Sequence, residues 1–144
     1  VDSFSVLIVD DEVEFMEVLV KRMRRRNLET FGAVSGEQAL AYLDVKGADV
    51  VVLDVRMPEM DGIETLRAIK TNHPLVEVIL LTGHASLSVA REGMRLGAFD
   101  YLMKPINIDE LIYKLQDAFE KKKNQEIKIQ NLKGVIETSN GNDK

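Results

Sequence analysis

Five side chains able to do chemistry each stand directly behind an apolar run. Asp10 and Asp11 follow Ser5 to Val9 (SVLIV), and Asp54 follows Asp49 to Leu53 (DVVVL). Thr82 follows Val76 to Leu81, and Lys104 follows Phe99 to Met103. If the runs are neighbouring parallel strands, their carboxyl ends share one edge and these residues converge there. Three carboxylates brought together repel and raise one another's pKa. A hard cation relieves that repulsion. Magnesium suits it, because it takes a few carboxylates, a carbonyl and retained waters, leaving room for a phosphate oxygen. A nearby ammonium and hydroxyl then complete a pocket for a phosphoryl group.

Each residue alone has a plainer reading. An Asp-Asp pair behind a strand often caps the next helix and compensates its dipole. Asp54 could simply open a loop, Thr82 alone says little, and Lys104 before Pro105 could be a solvated turn residue. The coincidence of all five at strand ends is what favours a site.

The elements that would position them are legible. Short apolar runs mark strands buried on both faces. Amphipathic segments lie between them. The first helix carries Phe15, Met16, Leu19 and Met23 on one face. Leu28 to Val34 reads as a weaker second strand. Ser35 reads as a helix N-cap, with Gln38 at the capping-box position. Met57-Pro58-Glu59-Met60-Asp61-Gly62 is a loop before a helix from Ile63 to about Lys70. A helix over Ser86 to Leu96 ends at Gly97. The last helix starts near Asp109, its expected N-cap. Five β-α alternations with short connections predict a doubly wound α/β domain, with helices on both faces of a parallel sheet. Such folds place ligands beyond the carboxyl ends of the strands.

Composition narrows the classes. The chain has 144 residues, 45% hydrophobic and 30% charged, with a net charge of -5. That suits one domain with a short appendage and disfavours a nucleic-acid binder, which should be basic. The absence of cysteine excludes disulfide, thiolate and Cys-based zinc chemistry. No run is long enough to span a bilayer, and the start lacks the pattern of a signal peptide. A cytoplasmic location is expected. The run Lys21-Arg22-Met23-Arg24-Arg25-Arg26 fits cations complementing a helix C-terminus better than it fits DNA contact.

Leu7 to Glu12, Leu53 to Gly62, Leu81-Thr82-Gly83 and Tyr101 to Pro105 together resemble the receiver domain of bacterial two-component response regulators. The resemblance covers about Phe4 to Phe119. It implies a (βα)₅ flavodoxin-like sheet of order 2-1-3-4-5, with Asp54 as the phosphoacceptor served by a histidine kinase or phosphotransfer protein. It implies that Asp10, Asp11, Asp54 and the backbone carbonyl of Arg56 hold Mg²⁺. Lys104 would pair with Asp54 or its phosphate, Thr82 would shift toward the phosphoryl oxygens, and Tyr101 would follow. A cis Lys104-Pro105 bond belongs to the same resemblance. Arg56 and His84, two residues beyond Asp54 and Thr82, should flank the path of attacking water and tune the phosphate's lifetime. A surface loop histidine is an equal reading of His84.

The output surface is expected on the fourth helix, fifth strand and last helix, where Met103 should share a face with Tyr101. The domain is expected over residues 1–121, with 122–144 as a helical extension or linker. Apolar residues from Leu111 to Ile136 lie near helical spacing, interrupted by Lys121-Lys122-Lys123-Asn124-Gln125. This segment reads either as a linker helix that pairs in a homodimer or as a solvated helix. After Gly134 the tail is expected to fray. Self-association through the fourth-helix, fifth-strand and last-helix face is the other dimer expectation.

The Thr82-Gly83-His84 and Ala98 to Pro105 segments resemble receivers of nitrogen-regulatory-type activators. The chain is therefore either a stand-alone receiver that docks on an effector or the receiver of a longer DNA-binding regulator. Binding of nucleic acid or membrane by this domain is not expected. It is expected to catalyse only its own phosphorylation and dephosphorylation. An aspartyl-phosphate phosphohydrolase should carry a second acid two residues after the nucleophile, where this chain has Arg56. A receiver-like module that is never phosphorylated fits the intact acid cluster less well.

Overall fold

The computed structural model describes residues 3–57 and 60–142, with the side chains of 139–142 left out. The chain alternates β1 (Ser5–Val9), α1 (Val13–Arg25), β2 (Glu29–Ala33), α2 (Gly36–Val45), β3 (Val50–Asp54) and α3 (Gly62–Asn72). It continues with β4 (Glu77–Thr82), a 3₁₀ turn (His84–Ser86), α4 (Leu87–Arg95), β5 (Asp100–Met103) and α5 (Ile108–Asn142). The sheet is parallel throughout, in the order β2-β1-β3-β4-β5. Both the doubly wound fold and its strand order are as expected.

The strand alternation divides the interior into two layers. Val6, Ile8, Val50, Val52, Ile79 and Leu81 face α1 and α5, meeting Met16, Leu19 and Met23 on one side and Leu111, Leu115 and Ala118 on the other. Leu7, Val9, Val51, Leu53, Val78 and Leu80 face α2, α3 and α4, meeting Leu43, Leu66, Ile69 and Ala90. Each fully buried Leu, Ile or Val contributes about 1.5–3 kcal/mol by leaving water. The central strands are therefore rigid, and the residues at their carboxyl ends inherit fixed positions.

Local signals set most element ends. Ser35 Oγ accepts from the Gln38 amide at 3.1 Å, and Gln38 Oε1 reaches back to the Val34 amide at 3.1 Å. Gly97, at φ 106°, closes α4 in the left-handed region that favours glycine. Two cations of the basic run have partners within the domain. Arg24 donates from Nε to the Thr30 carbonyl at 2.9 Å and lies over the Phe31 ring, and Arg26 pairs with Asp109 at 2.9 Å.

One expectation needs correction. The N-cap of α5 is Asn107, whose Oδ1 accepts from the Glu110 amide at 3.0 Å; Asp109 already lies inside the helix. The helix expected over Ser86 to Leu96 is present as α4, entered through the 3₁₀ turn His84–Ser86. α5 continues past Gly134 to Asn142, and the last two residues of the tail lie outside the described residues.

The polar stretch that interrupts the apolar spacing of α5 meets acids at the amino ends of the central strands. Lys121 Nζ lies 3.5 Å from Glu77 Oε2, and Lys122 Nζ lies 3.0 Å from Asp49 Oδ1. Lys122 also pairs with Glu126 one turn on. Glu77 is 3% exposed and has a second partner in Lys70, at 3.9 Å. Burial pulls the Lys70 pKa down, and the neighbouring Glu77 offsets part of that. Glu77→Gln keeps the shape and removes the charge shared by both lysines. With Lys121 half exposed, water takes over much of the lost pairing, so a stability loss of about 0.5–1 kcal/mol is expected in urea titrations. Beyond this clasp Ile129, Leu132 and Ile136 are exposed at helical spacing.

Candidate functional site

The β1 backbone hands Asp10 to the rim fully buried. Its amide donates to the Ala33 carbonyl at 3.1 Å, and its Oδ1 accepts from the Glu12 amide at 2.9 Å. This second bond fixes the carboxylate and turns the chain into α1. Asp11 is exposed beside it. Asp54, the last residue of β3, is 5% exposed, and its Oδ1 accepts from the Arg56 amide at 3.2 Å. One oxygen from each of Asp10, Asp11 and Asp54 falls within 4.8 Å of the other two. The predicted convergence is therefore present.

Lys104 closes the pocket from β5. Its amide donates to the Thr82 carbonyl at 2.8 Å, which extends the β4–β5 ladder by one residue, and its peptide bond to Pro105 is cis. The ammonium lies 3.1 Å from Asp10 Oδ2, 3.8 Å from Asp54 Oδ2 and 3.9 Å from Glu12 Oε1. Its shortest pair is thus with Asp10 rather than Asp54. Thr82 is fully buried, and its hydroxyl donates to the Gly83 carbonyl at 2.9 Å. Tyr101 is half-buried and packs at the edge of the layer under α2, α3 and α4; Met103 is half-buried one pleat along. Arg56 and His84 are both exposed, His84 opening the 3₁₀ turn.

The electrostatics follow from this crowding. The Asp54 pKa is raised to about 6, first by burial and then by the charge of Asp10, with a smaller push from Asp11. The Arg56 amide and the Lys104 ammonium pull the other way without cancelling it. A desolvated acid that resists ionising beside two other acids is poised for a hard cation. The all-oxygen donor set fits magnesium, and an ion there would remove the repulsion.

Three contributions escaped the sequence. Glu12 and Phe15 both reach Lys104, the ring centroid of Phe15 lying 4.4 Å from its Nζ. The third is Gly62, whose amide donates to the Val55 carbonyl at 3.3 Å. A Cβ on Gly62 would stand 2.5 Å from both the Asp54 carbonyl oxygen and Val55 Cα. The Asp-Gly pair signals a turn, whereas the need for glycine is a close approach of α3 to the Asp54 strand. Both neighbours are backbone, so neither yields cheaply. Gly62→Ala is expected to cost about 1–2 kcal/mol in thermal unfolding. The strand end that carries Asp54 must move to admit the added methyl.

The sheet order, the rim of acids and the lysine behind them define the receiver class of α/β domains. The chain belongs to the response regulator receiver domain family, whose model matches residues 6–116. It is 38% identical over 117 residues to the transcriptional regulatory protein ZraR of Klebsiella oxytoca, covering 81% of this chain and 26% of that protein. It is 39% identical over 113 residues to the DNA-binding transcriptional regulator NtrC of Salmonella typhimurium, covering 78% of this chain and 24% of NtrC. The chain thus spans about a quarter of the curated relatives it matches. The crystal structure of the receiver domain of NtrX from Brucella abortus superposes with a TM-score of 0.77 at 32% identity, over 80% of this chain and 98% of that one. The resemblance to nitrogen-regulatory-type activators holds. Among the described residues no helix is long and apolar enough to cross a membrane.

Proposed function

We propose that Asp54 accepts a phosphoryl group, and that the domain switches its output face in response. The observation that carries this reading is the meeting of Asp10, Asp11 and Asp54 within reach of Lys104. A carboxylate oxygen of Asp54 forms a bond to phosphorus as the bond from phosphorus to the donor's leaving group breaks. Water later cleaves the acyl phosphate, releasing inorganic phosphate and restoring the carboxylate. The protein's part is to hold the acceptor in line and to balance charge on the transferring oxygens. Lys104 stands beside Asp54 for that purpose. Asp10, Asp11, Asp54 and the Arg56 carbonyl would hold Mg²⁺, which when bound neutralises phosphoryl oxygens and the acids together. Thr82, at the end of the neighbouring strand, would exchange its bond to Gly83 for one to the phosphoryl group, and Tyr101 would follow. Arg56 and His84, exposed at the mouth, would tune how readily water attacks.

The domain would act on itself rather than turn over a substrate. Its phosphodonor would be a sensor histidine kinase or phosphotransfer protein in the cytoplasm. Residues 1–121 form the switching unit on this reading, with 122–144 as the linker. The continuous α5 and the greater length of the relatives support an output domain joined through that helix, with nucleic acid bound there rather than by the receiver. Pairing of two copies through the exposed Ile129, Leu132 and Ile136, or through the face of α4, β5 and α5, would be the means of self-association.

Incubation with acetyl phosphate and Mg²⁺ should raise the intact mass by one phosphoryl group. The gain should vanish with chelator and in Asp54→Asn. Full-stoichiometry modification of Asp54→Asn, or none of the wild type with donor and metal in excess, would refute the assignment.

A further inference from the structure

Phe15 is the third residue of α1 and departs from the pattern of that helix. Met16, Leu19, Val20 and Met23 are its buried face, whereas Phe15 is only partly buried. Its ring lies at the rim, under the ammonium of Lys104, with 4.4 Å between Nζ and the centroid. The ammonium is thus bounded by three acids, Asp10, Asp54 and Glu12, and by one aromatic face.

We infer that Phe15 is a positioning residue for phosphoryl transfer: its ring face holds the Lys104 ammonium over the pocket while the carboxylates around it change partners. The inference rests on the reading of Asp54 as phosphoacceptor. In the structure the closest partner of Lys104 is Asp10, a residue proposed to hold the metal. During transfer the ammonium must serve phosphoryl oxygens instead. A lysine stem has many rotamers, and a charge released by its carboxylate is otherwise free to swing into water. The negative face of an aromatic ring attracts a cation without taking one of its N–H donors along a fixed direction. It also does not compete for the metal or for phosphate. An aliphatic side chain of similar bulk fills the space but lacks that attraction. The alternative is that Phe15 merely covers the edge of the core, and the two roles separate by experiment.

The test uses the full chain with acetyl phosphate, saturating Mg²⁺ and the rate of Asp54 modification at saturating donor. Phe15→Leu and the longer Phe15→Met are expected to lower that rate about five- to tenfold. Phe15→Tyr, which keeps the ring, should restore it to within about twofold of wild type. In a Lys104→Met background Phe15→Leu should have no further effect, because the group it acts on is gone. Thermal unfolding identifies which variants remain folded. A folded Phe15→Leu or Phe15→Met that reacts like wild type overturns the inference and leaves the acceptor reading standing. An equal loss in the Lys104→Met background also overturns it, since the ring would then act through the core. A wild-type chain that stays unmodified overturns both.

Discussion

Replacing Lys104 with Met is expected to slow phosphorylation of Asp54 by a small donor about 10²- to 10³-fold, without weakening Mg²⁺ binding. The size follows from what a preorganised charge contributes where charge shifts in a transition state, inside a pocket that limits solvent. Lys104 is one-quarter exposed and stands within 4 Å of Asp10, Asp54 and Glu12. On the proposed function its charge would therefore act on both the acceptor and the transferring group. The metal affinity should move the other way. Lys104 and a divalent ion are like charges drawn to the same acids, so removing the ammonium makes those acids better ligands. Stopped-flow modification rates and Mg²⁺ titration by calorimetry separate the two effects. A parallel loss in rate and in metal affinity would show that Lys104 builds the pocket instead of working in it.

The two properties of Lys104 illustrate what a sequence discloses. Its place at the end of β5 is written in the apolar run before it and the Pro after it. Its choice of Asp10 as nearest partner is not, because side-chain reach across a sheet edge depends on register and twist. Likewise β1, β3 and β4 stand out because strands buried on both faces are continuous apolar runs. The start of α5 does not stand out. Asn107 and Asp109 are both good caps, and the structure takes Asn107, which starts the helix at Ile108 and sends Ile108 and Leu111 to the core layer on that face of the sheet. Local polarity predicts fraying after Gly134, and the helical course of α5 to Asn142 is not written in it. Nor are the partners of Lys121 and Lys122 legible, since Glu77 and Asp49 each lie more than 40 residues away in the chain. Phe15 belongs to the same class of omission. Its spacing places it near the core face of α1, and its contact with a lysine 89 residues on arises only from the fold.

Asp54→Asn is expected to abolish phosphorylation and, in metal-free buffer, to stabilise the domain at neutral pH. The second effect follows from the raised pKa. Below pH of about 4 the side chain is protonated in both folded and unfolded chains and contributes nothing to the difference. As pH rises from 3.8 to about 6, the unfolded chain gives up the proton while the folded chain keeps it. The folded state then binds more protons than the unfolded, so stability falls across that window. Above about pH 6 the loss is complete and constant. A shift from 3.8 to about 6 corresponds to an upper bound of roughly 3 kcal/mol. The carboxylate opens on a wet rim and can relax toward water, which reduces the expected gain to about 2 kcal/mol. Asparagine carries no charge to desolvate and no repulsion with Asp10 or Asp11. Urea melts of wild type and variant should therefore coincide near pH 4, diverge up to pH 6 and run parallel above it. Adding Mg²⁺ should narrow or invert the gap, because the ion favours the charged wild-type cluster. A constant offset from pH 4 to pH 8 would mean that the gain comes from packing, and that Asp54 ionises at its ordinary pH within the fold.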